Sequence, residues 1–183
     1  MLKRLAITMF LISGLIGFSG CFNTRSVEDL AYVTAIGIDL IDDNNLELTF
    51  QIMVPNSSSS TNSESNQSSK TEAISIKSTT INSGLSLINS YVSKQIDLSH
   101  CKAIIISSNL ASCGITPYID TLIRNTEIRP NCNIIISKCS AKDYINNSKP
   151  TIESLASKYY EIAIKSSYYT GYIPSTTLIE LAR

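Results

Sequence analysis

The chain has 183 residues with 15 basic and 15 acidic groups, a formal net charge of zero. That length fits one ordinary domain with tails, and a hydrophobic content of 43 % is enough to build a core, which excludes wholesale disorder. Balanced charge with no basic stripe argues against nucleic acid, and a single His with no Trp leaves little material for a metal site.

The first twenty residues read as a targeting segment. Lys3 and Arg4 form a positive start, and an uncharged, mostly apolar run follows from Leu5 to Phe18. Fourteen residues in a helix reach only about 21 Å, short of the roughly 30 Å hydrocarbon core, so a signal peptide fits better than a permanent span. The run ends in Phe18-Ser19-Gly20-Cys21, which resembles the bacterial lipobox; Phe18 departs from the usual Leu. The resemblance implies cleavage before Cys21 and a diacylglyceryl thioether on its sulfur, with two acyl chains holding the protein stably to a membrane. The competing reading is an ordinary secretory signal with a chance cysteine. Without Lys3 and Arg4 the mature chain keeps 13 basic groups against 15 acidic, and it works outside the cytoplasm.

A polar leader, residues 21–30, precedes a strand-like run from Ala31 to Asp39. Asp42-Asp43-Asn44-Asn45 is turn chemistry, since Asp and Asn hydrogen-bond locally and tolerate left-handed geometry. Leu46, Leu48, Phe50, Ile52 and Val54 then alternate with polar residues and Met53, which predicts a half-buried strand and a hairpin. Residues 56–71 are Ser/Asn-rich, contain nothing to bury, and are expected to form a disordered loop.

A short alternating strand follows over Ala73–Ser78, and Ile81, Leu85, Ile88 and Val92 recur at helical spacing. The β-branched runs Ala103–Ile106 and Asn133–Ser137 predict two strands buried on both faces. Between them Thr116-Pro117 reads as an N-cap and first residue of a helix carrying Ile119, Leu122 and Ile123. Ser140 caps a short helical turn, and Pro150 precedes a helix from about Ile152 to Ser167. Ser175 reads as the cap of a last helix carrying Leu178, Ile179 and Leu181, too short to bury much. Strands alternating with helices imply crossovers and some parallel pairing. The expected fold is α/β, with α+β the alternative: a mixed sheet with an N-terminal antiparallel hairpin and helices packed on it.

Several segments read together as a family resemblance. Cys21 with Arg25, Glu28-Asp29-Leu30-Ala31 and Ala35-Ile36-Gly37-Ile38-Asp39 resembles the opening of the GerC-type lipoproteins of spore germinant receptors. His100-Cys101-Lys102-Ala103-Ile104-Ile105-Ile106, Leu110-Ala111, Gly114-Ile115, Asp120-Thr121-Leu122-Ile123-Arg124 and Glu127-Ile128-Arg129 fit the same family. Phe22 and Asn23 stand where the family commonly has Trp and Asp, and Asn125 where it often has an acid. The resemblance implies a non-enzymatic lipoprotein on the outer surface of the spore's inner membrane, beside two integral membrane subunits that sense nutrients. Members of that family are longer, so residues 31–174 are expected to be an N-terminal domain and 175–183 the start of a helix leading onward.

Individual residues carry sharper and blander readings. His100, with Asp97 and Ser99 nearby, lacks a Gly-x-Ser-x-Gly elbow, and a structural histidine at a strand edge is the better reading. Cys101, Cys113, Cys132 and Cys139 show no Cys-x-x-Cys spacing, so neither metal nor cofactor is expected. Cys101 and Cys132 become neighbours if their strands pair in parallel; buried reduced thiols are the simpler outcome. Arg124, Glu127 and Arg129 are either a partner-binding charge cluster or a solvated helix end. The alternatives to a receptor subunit are a solute-binding lipoprotein of a transporter, which usually needs two lobes, and a cell-surface hydrolase, for which the catalytic residues are missing.

Overall fold

The computed structural model describes residues 1, 3–4, 29–54, 70–148, 156–172 and 174–183. Cys21, the leader up to residue 28, the Ser/Asn-rich segment up to residue 69 and Pro150 lie outside the described residues.

The expected hairpin is present and longer than its apolar pattern. Strands β1 (Leu30–Asp42) and β2 (Asn45–Val54) pair antiparallel across a two-residue turn, Asp43-Asn44. The Asp42 carboxylate builds that turn by accepting the Asn44 N–H at 3.0 Å and the Asn45 side-chain amide at 2.8 Å. These bonds favour the charged form and lower the Asp42 pKa, the Asn45 amide most. Strand β3 (Lys70–Ser78) adds antiparallel to β2 and already includes Lys70 and Thr71, the last two residues assigned to the loop.

The remaining strands join the other edge of β1 in parallel. Helix α1 (Ile81–Tyr91) opens on a capping box in which the Thr80 and Ser83 side chains each bond the other's backbone N–H. It leads to β4 (Gln95–Asp97), paired with Leu30–Tyr32, and then to β5 (Ala103–Ser107), paired with Ala35–Ile38. Helices α2 (Ser108–Cys113) and α3 (Thr116–Ile123) cross to β6 (Asn133–Ser137), parallel to β5. The sheet thus runs β3-β2-β1-β5-β6, with β4 beside the start of β1. Helices α4 (Ala141–Asn147), α5 (Ala156–Lys165), α6 (Ser167–Thr170) and α7 (Leu178–Leu181) complete the described chain. The result is the α/β mixed sheet with packed helices that the order of elements predicts.

Strand alternation divides the core in two. Ile36, Ile38, Ile104 and Ile106 face one side with Leu48 and Phe50, under α1, α2, α3 and α7. Ala35, Ala103 and Ile105 face the other, under Ala141 and Ile145 of α4 and Ala156 and Tyr160 of α5. At about 25 cal/mol per Å², each fully buried Ile or Leu contributes on the order of 1.5–3 kcal/mol, so the larger first cluster dominates stability.

Four features differ from the sequence reading, two of them boundaries. Thr116 is the first helical residue of α3 and Ile115 its N-cap, so Pro117 falls at the second position, where its missing N–H still costs no bond. Thr177, not Ser175, caps α7, because only Thr177 has an acid three residues on: Glu180 accepts its N–H at 2.9 Å. That last helix is also less marginal than its length implies, since Leu178 is fully buried and its N–H donates to Cys132 O at 2.8 Å. Strand β6 is not buried on both faces: it is the last strand in the sheet and leaves Ile136 57 % exposed.

Candidate functional site

The segment from Asp97 to Lys102 is set by a mismatch between neighbouring strands. Tyr32 pairs with Asp97 and Ala35 with Ala103, so β1 advances three residues while its neighbour advances six. The bulged residue Thr34 fixes the far end, its carbonyl accepting the Lys102 N–H at 2.9 Å. Leu98 and Cys101 tuck into the core, which leaves Ser99 and His100 outside. The His100 ring meets Tyr32 edge-on with centroids 4.7 Å apart.

Asp97, Ser99 and His100 therefore come together, but in the wrong sense for catalysis. The Ser99 hydroxyl and N–H both donate to Asp97 Oδ1, the N–H at 2.8 Å. With its one proton directed at Asp97, Ser99 Oγ is an acceptor for His100 Nδ1 at 3.0 Å. An activated serine requires the reverse, Oγ–H donating to the imidazole and the imidazole to the carboxylate. The arrangement is an Asp-Ser turn with a half-exposed histidine stacked beside it.

Arg124, Glu127 and Arg129 do not form one cluster. Arg124 and Glu127 line a depression of about 360 Å³ between α1, β4 and the end of α3, together with Leu85, Asn89, Gln95 and Ile96. Asn89 ties its walls together, donating to Leu85 O at 3.0 Å and accepting the Ile96 N–H at 2.9 Å. Asn125 shapes the rim by accepting the Glu127 N–H at 2.9 Å. Arg124 reaches back one turn to Asp120, Nε to Oδ2 at 2.9 Å, and both side chains are largely exposed. That exposed ion pair holds little folding energy.

Arg129 borders a second depression, of about 300 Å³, with Cys101, Lys102, Asn133, Glu161 and Lys165. Glu161 bridges two cations there, with Lys165 Nζ at 2.6 Å and Lys102 Nζ at 3.8 Å. The Lys165 hydrogen bond, then the charges of Lys165 and Lys102, pull the Glu161 pKa below its ordinary value. Sequence reasoning missed Asn89, Gln95 and the Lys102–Glu161–Lys165 bridge, all polar residues whose roles depend on distant elements meeting. Only the Asn125-Thr126-Glu127 turn carried a local signal. Among the described residues no group of three His, Cys, Asp or Glu side chains is placed to hold a metal, and no helix is long and apolar enough to cross a membrane.

The family described as "Spore germination protein N-terminal domain" matches residues 23–183. Spore germination protein A3 of Bacillus subtilis strain 168 is 29 % identical over 130 residues, 70 % of this chain and 34 % of its own length. Spore germination protein KC of the same organism is 25 % identical over 154 residues, 82 % of this chain and 38 % of that protein. Spore germination protein B3 is 24 % identical over 139 residues, 74 % and 36 % of the two chains. The chain thus spans about a third of the length of these relatives. No solved structure matches it.

Proposed function

We propose that this chain, which belongs to the spore germination protein N-terminal domain family, serves spore germination as part of a lipid-anchored, non-catalytic subunit of a nutrient germinant receptor. Cys21 carries the lipid and holds the domain on the outer face of the spore's inner membrane, beside integral membrane subunits. The observation that carries the reading is the family match, which begins two residues after Cys21 and runs to residue 183. Two features of the site support a binding role. The proton order at Ser99–His100 is unsuited to nucleophilic attack. The exposed charges of Arg124 and Glu127 border a depression whose backbone is tied by side-chain hydrogen bonds, a firm surface for a partner.

The test pairs nutrient-triggered germination with the abundance of the membrane subunits, in spores lacking the gene and any other copy of it. Slower germination together with depleted partner subunits is expected. Normal germination to every nutrient rejects the assignment. Mass spectrometry of protein extracted from the membrane is expected to find thioether-linked diacylglycerol on an N-terminal Cys21, and an intact, unmodified Cys21 rejects the anchor.

A further inference from the structure

Cys101 and Cys132 are both buried and face each other with their sulfurs 3.8 Å apart. Their positions follow from the sheet. Ala103 pairs with Asn133 in parallel, and the Asn133 N–H donates to Lys102 O at 3.0 Å, so the residues just before β5 and β6 run side by side. Strands about 4.8 Å apart, offset by one residue of about 3.3 Å, put such Cα atoms about 6 Å apart, the separation a disulfide prefers. Both side chains sit in one core cluster and both thiols are free. Cys101 also borders the depression bounded by Lys102, Arg129 and Glu161, but its sulfur is buried, so a small reagent reaches it only when that edge of the sheet opens.

We propose that Cys101 and Cys132 are a disulfide-forming pair, oxidised by exchange with a small-molecule disulfide and linking the start of β5 to the start of β6. The Cys101 sulfur gives up its proton and attacks one sulfur of the reagent, whose S–S bond breaks and releases one thiol. The Cys132 sulfur then loses its proton and attacks the Cys101 sulfur of the mixed disulfide, expelling the second thiol. The pair loses two protons and two electrons, and the reagent is reduced to two thiols. The neighbouring Cys132 thiol and burial push the Cys101 thiol pKa well up, so the exchange is slow at neutral pH. The bond would close a 31-residue span holding α2, α3, Arg124 and Glu127, and so stiffen one wall of the first depression. The proposed placement outside the cytoplasm bears only on where such an oxidant is met; the chemistry does not rest on it.

The test incubates the full-length folded protein with oxidised glutathione, quenches in acid, alkylates with N-ethylmaleimide and maps the peptides. The exposed Cys113 and Cys139 report whether the reagent acted. The expected result is a Cys101–Cys132 linkage and a Tm raised by about 5–10 °C, reversed by dithiothreitol and missing in Cys132→Ser. Glutathione on Cys113 and Cys139 with Cys101 and Cys132 still carrying free thiols overturns the proposal. So does a Tm rise that persists in Cys132→Ser.

Discussion

The Asp39 carboxylate on β1 accepts the backbone N–H of Ala141 at 2.7 Å, across 102 residues of chain. It also accepts the Lys142 N–H at 2.9 Å, while Ser140 Oγ accepts the N–H of Asp143 at 3.0 Å. Three of the four unpaired N–H groups at the start of α4 are thus satisfied, two of them by a strand residue. Lys142 Nζ then reaches Glu47 on β2 at 2.8 Å, so the same helical turn is bound to both hairpin strands. Asp39 is nearly buried, and a charged acceptor for two amides contributes more than a neutral cap. Asp39→Ala is expected to lower the unfolding free energy by about 2–4 kcal/mol, and Asp39→Asn by about half as much. Urea denaturation measures both; a loss below about 0.5 kcal/mol for the alanine variant would show that α4 is held by its apolar contacts alone.

Gly37 lies two residues before Asp39 on the same face, and its missing side chain lets α4 approach. A Cβ there would lie 2.9 Å from Ile145 Cδ1 and 3.1 Å from Ala141 Cβ. The Ile145 tip can rotate away, whereas Ala141 Cβ is fixed to the helix backbone. Gly37→Ala is therefore expected to cost about 1–2 kcal/mol. Part should be recovered in combination with Ile145→Val, which removes the nearer atom. A Cβ on Gly84, inside α1, would run into Leu48 Cδ1 and lie 2.8 Å from the Ser78 Oγ that is already committed to Thr80 O. Gly84→Ala gains about 1 kcal/mol of helix propensity but should still lose about 1–3 kcal/mol net. A stabilised Gly84→Ala protein would refute the close approach of α1 to β2.

Tyr160 shows a different kind of strain on the face beneath α4 and α5. Its ring fills the space above Ala35 and Ala103, yet among the described residues its buried hydroxyl has no partner at good hydrogen-bond geometry, although Ser148 and Gln51 lie close to it. Burial is the chief cause that pushes this phenol's pKa up. Tyr160→Phe keeps the packing and removes the orphaned hydroxyl, so stability should stay level or rise by up to about 1 kcal/mol. A clear loss in thermal unfolding would mean the hydroxyl has a partner in solution, such as a bound water.

The contrast between Ile104 and Ile136 shows how far the sequence could be read. Both sit in runs of three isoleucines that predict a doubly buried strand, and only position in the sheet separates them. Strand β5 lies between β1 and β6 and hides every side chain, while β6 is terminal and exposes Ile136. Strand order is decided by tertiary pairing, which no local period encodes. Strand β4 is three residues long and α2 buries only Leu110 before Gly114, at φ 108°, ends it; neither supplies enough residues to establish a period. The hairpin and the α1 stripe were legible because their patterns persist over many residues, and β5 because its β-branched run is unbroken. The candidate surface was legible only in Arg124 and Glu127; Arg129 went with them by proximity in the chain, but lines the second depression together with Glu161 and Lys102.

That second depression has a pH signature. The folded-state pKa of Glu161 is lowered, chiefly by Lys165, so its contribution to stability is full above the ordinary glutamate range, at about pH 5 and higher. It is lost as pH falls through the lowered folded value. Because Lys165 is largely exposed and Glu161 partly so, screening limits the contribution to about 0.5 kcal/mol or less. The stability difference between wild type and Glu161→Gln should therefore shrink between about pH 5 and pH 3. A difference that is constant over that range, or one that grows towards low pH, contradicts the bridge.

The separation of Arg124 from Arg129 makes the partner-binding proposal divisible. Both side chains are exposed, so charge reversal at either should leave stability nearly unchanged apart from the loss of the weak Asp120 pair. A defect in germination with normal amounts of folded protein must then come from lost contact with a partner. If the partner meets the depression beside α1 and β4, Arg124→Glu should reduce membrane-subunit abundance in spores, and Glu127→Lys should do likewise. Arg129→Glu, on the other depression, should act independently, so that its combination with Arg124→Glu adds the two effects. Immunoblots of the membrane subunits, read beside the level of this chain, check each variant. Wild-type abundance and wild-type germination in all three single variants would exclude both depressions as the contact and move the search to the exposed Tyr169 and Tyr172 near the end of the chain.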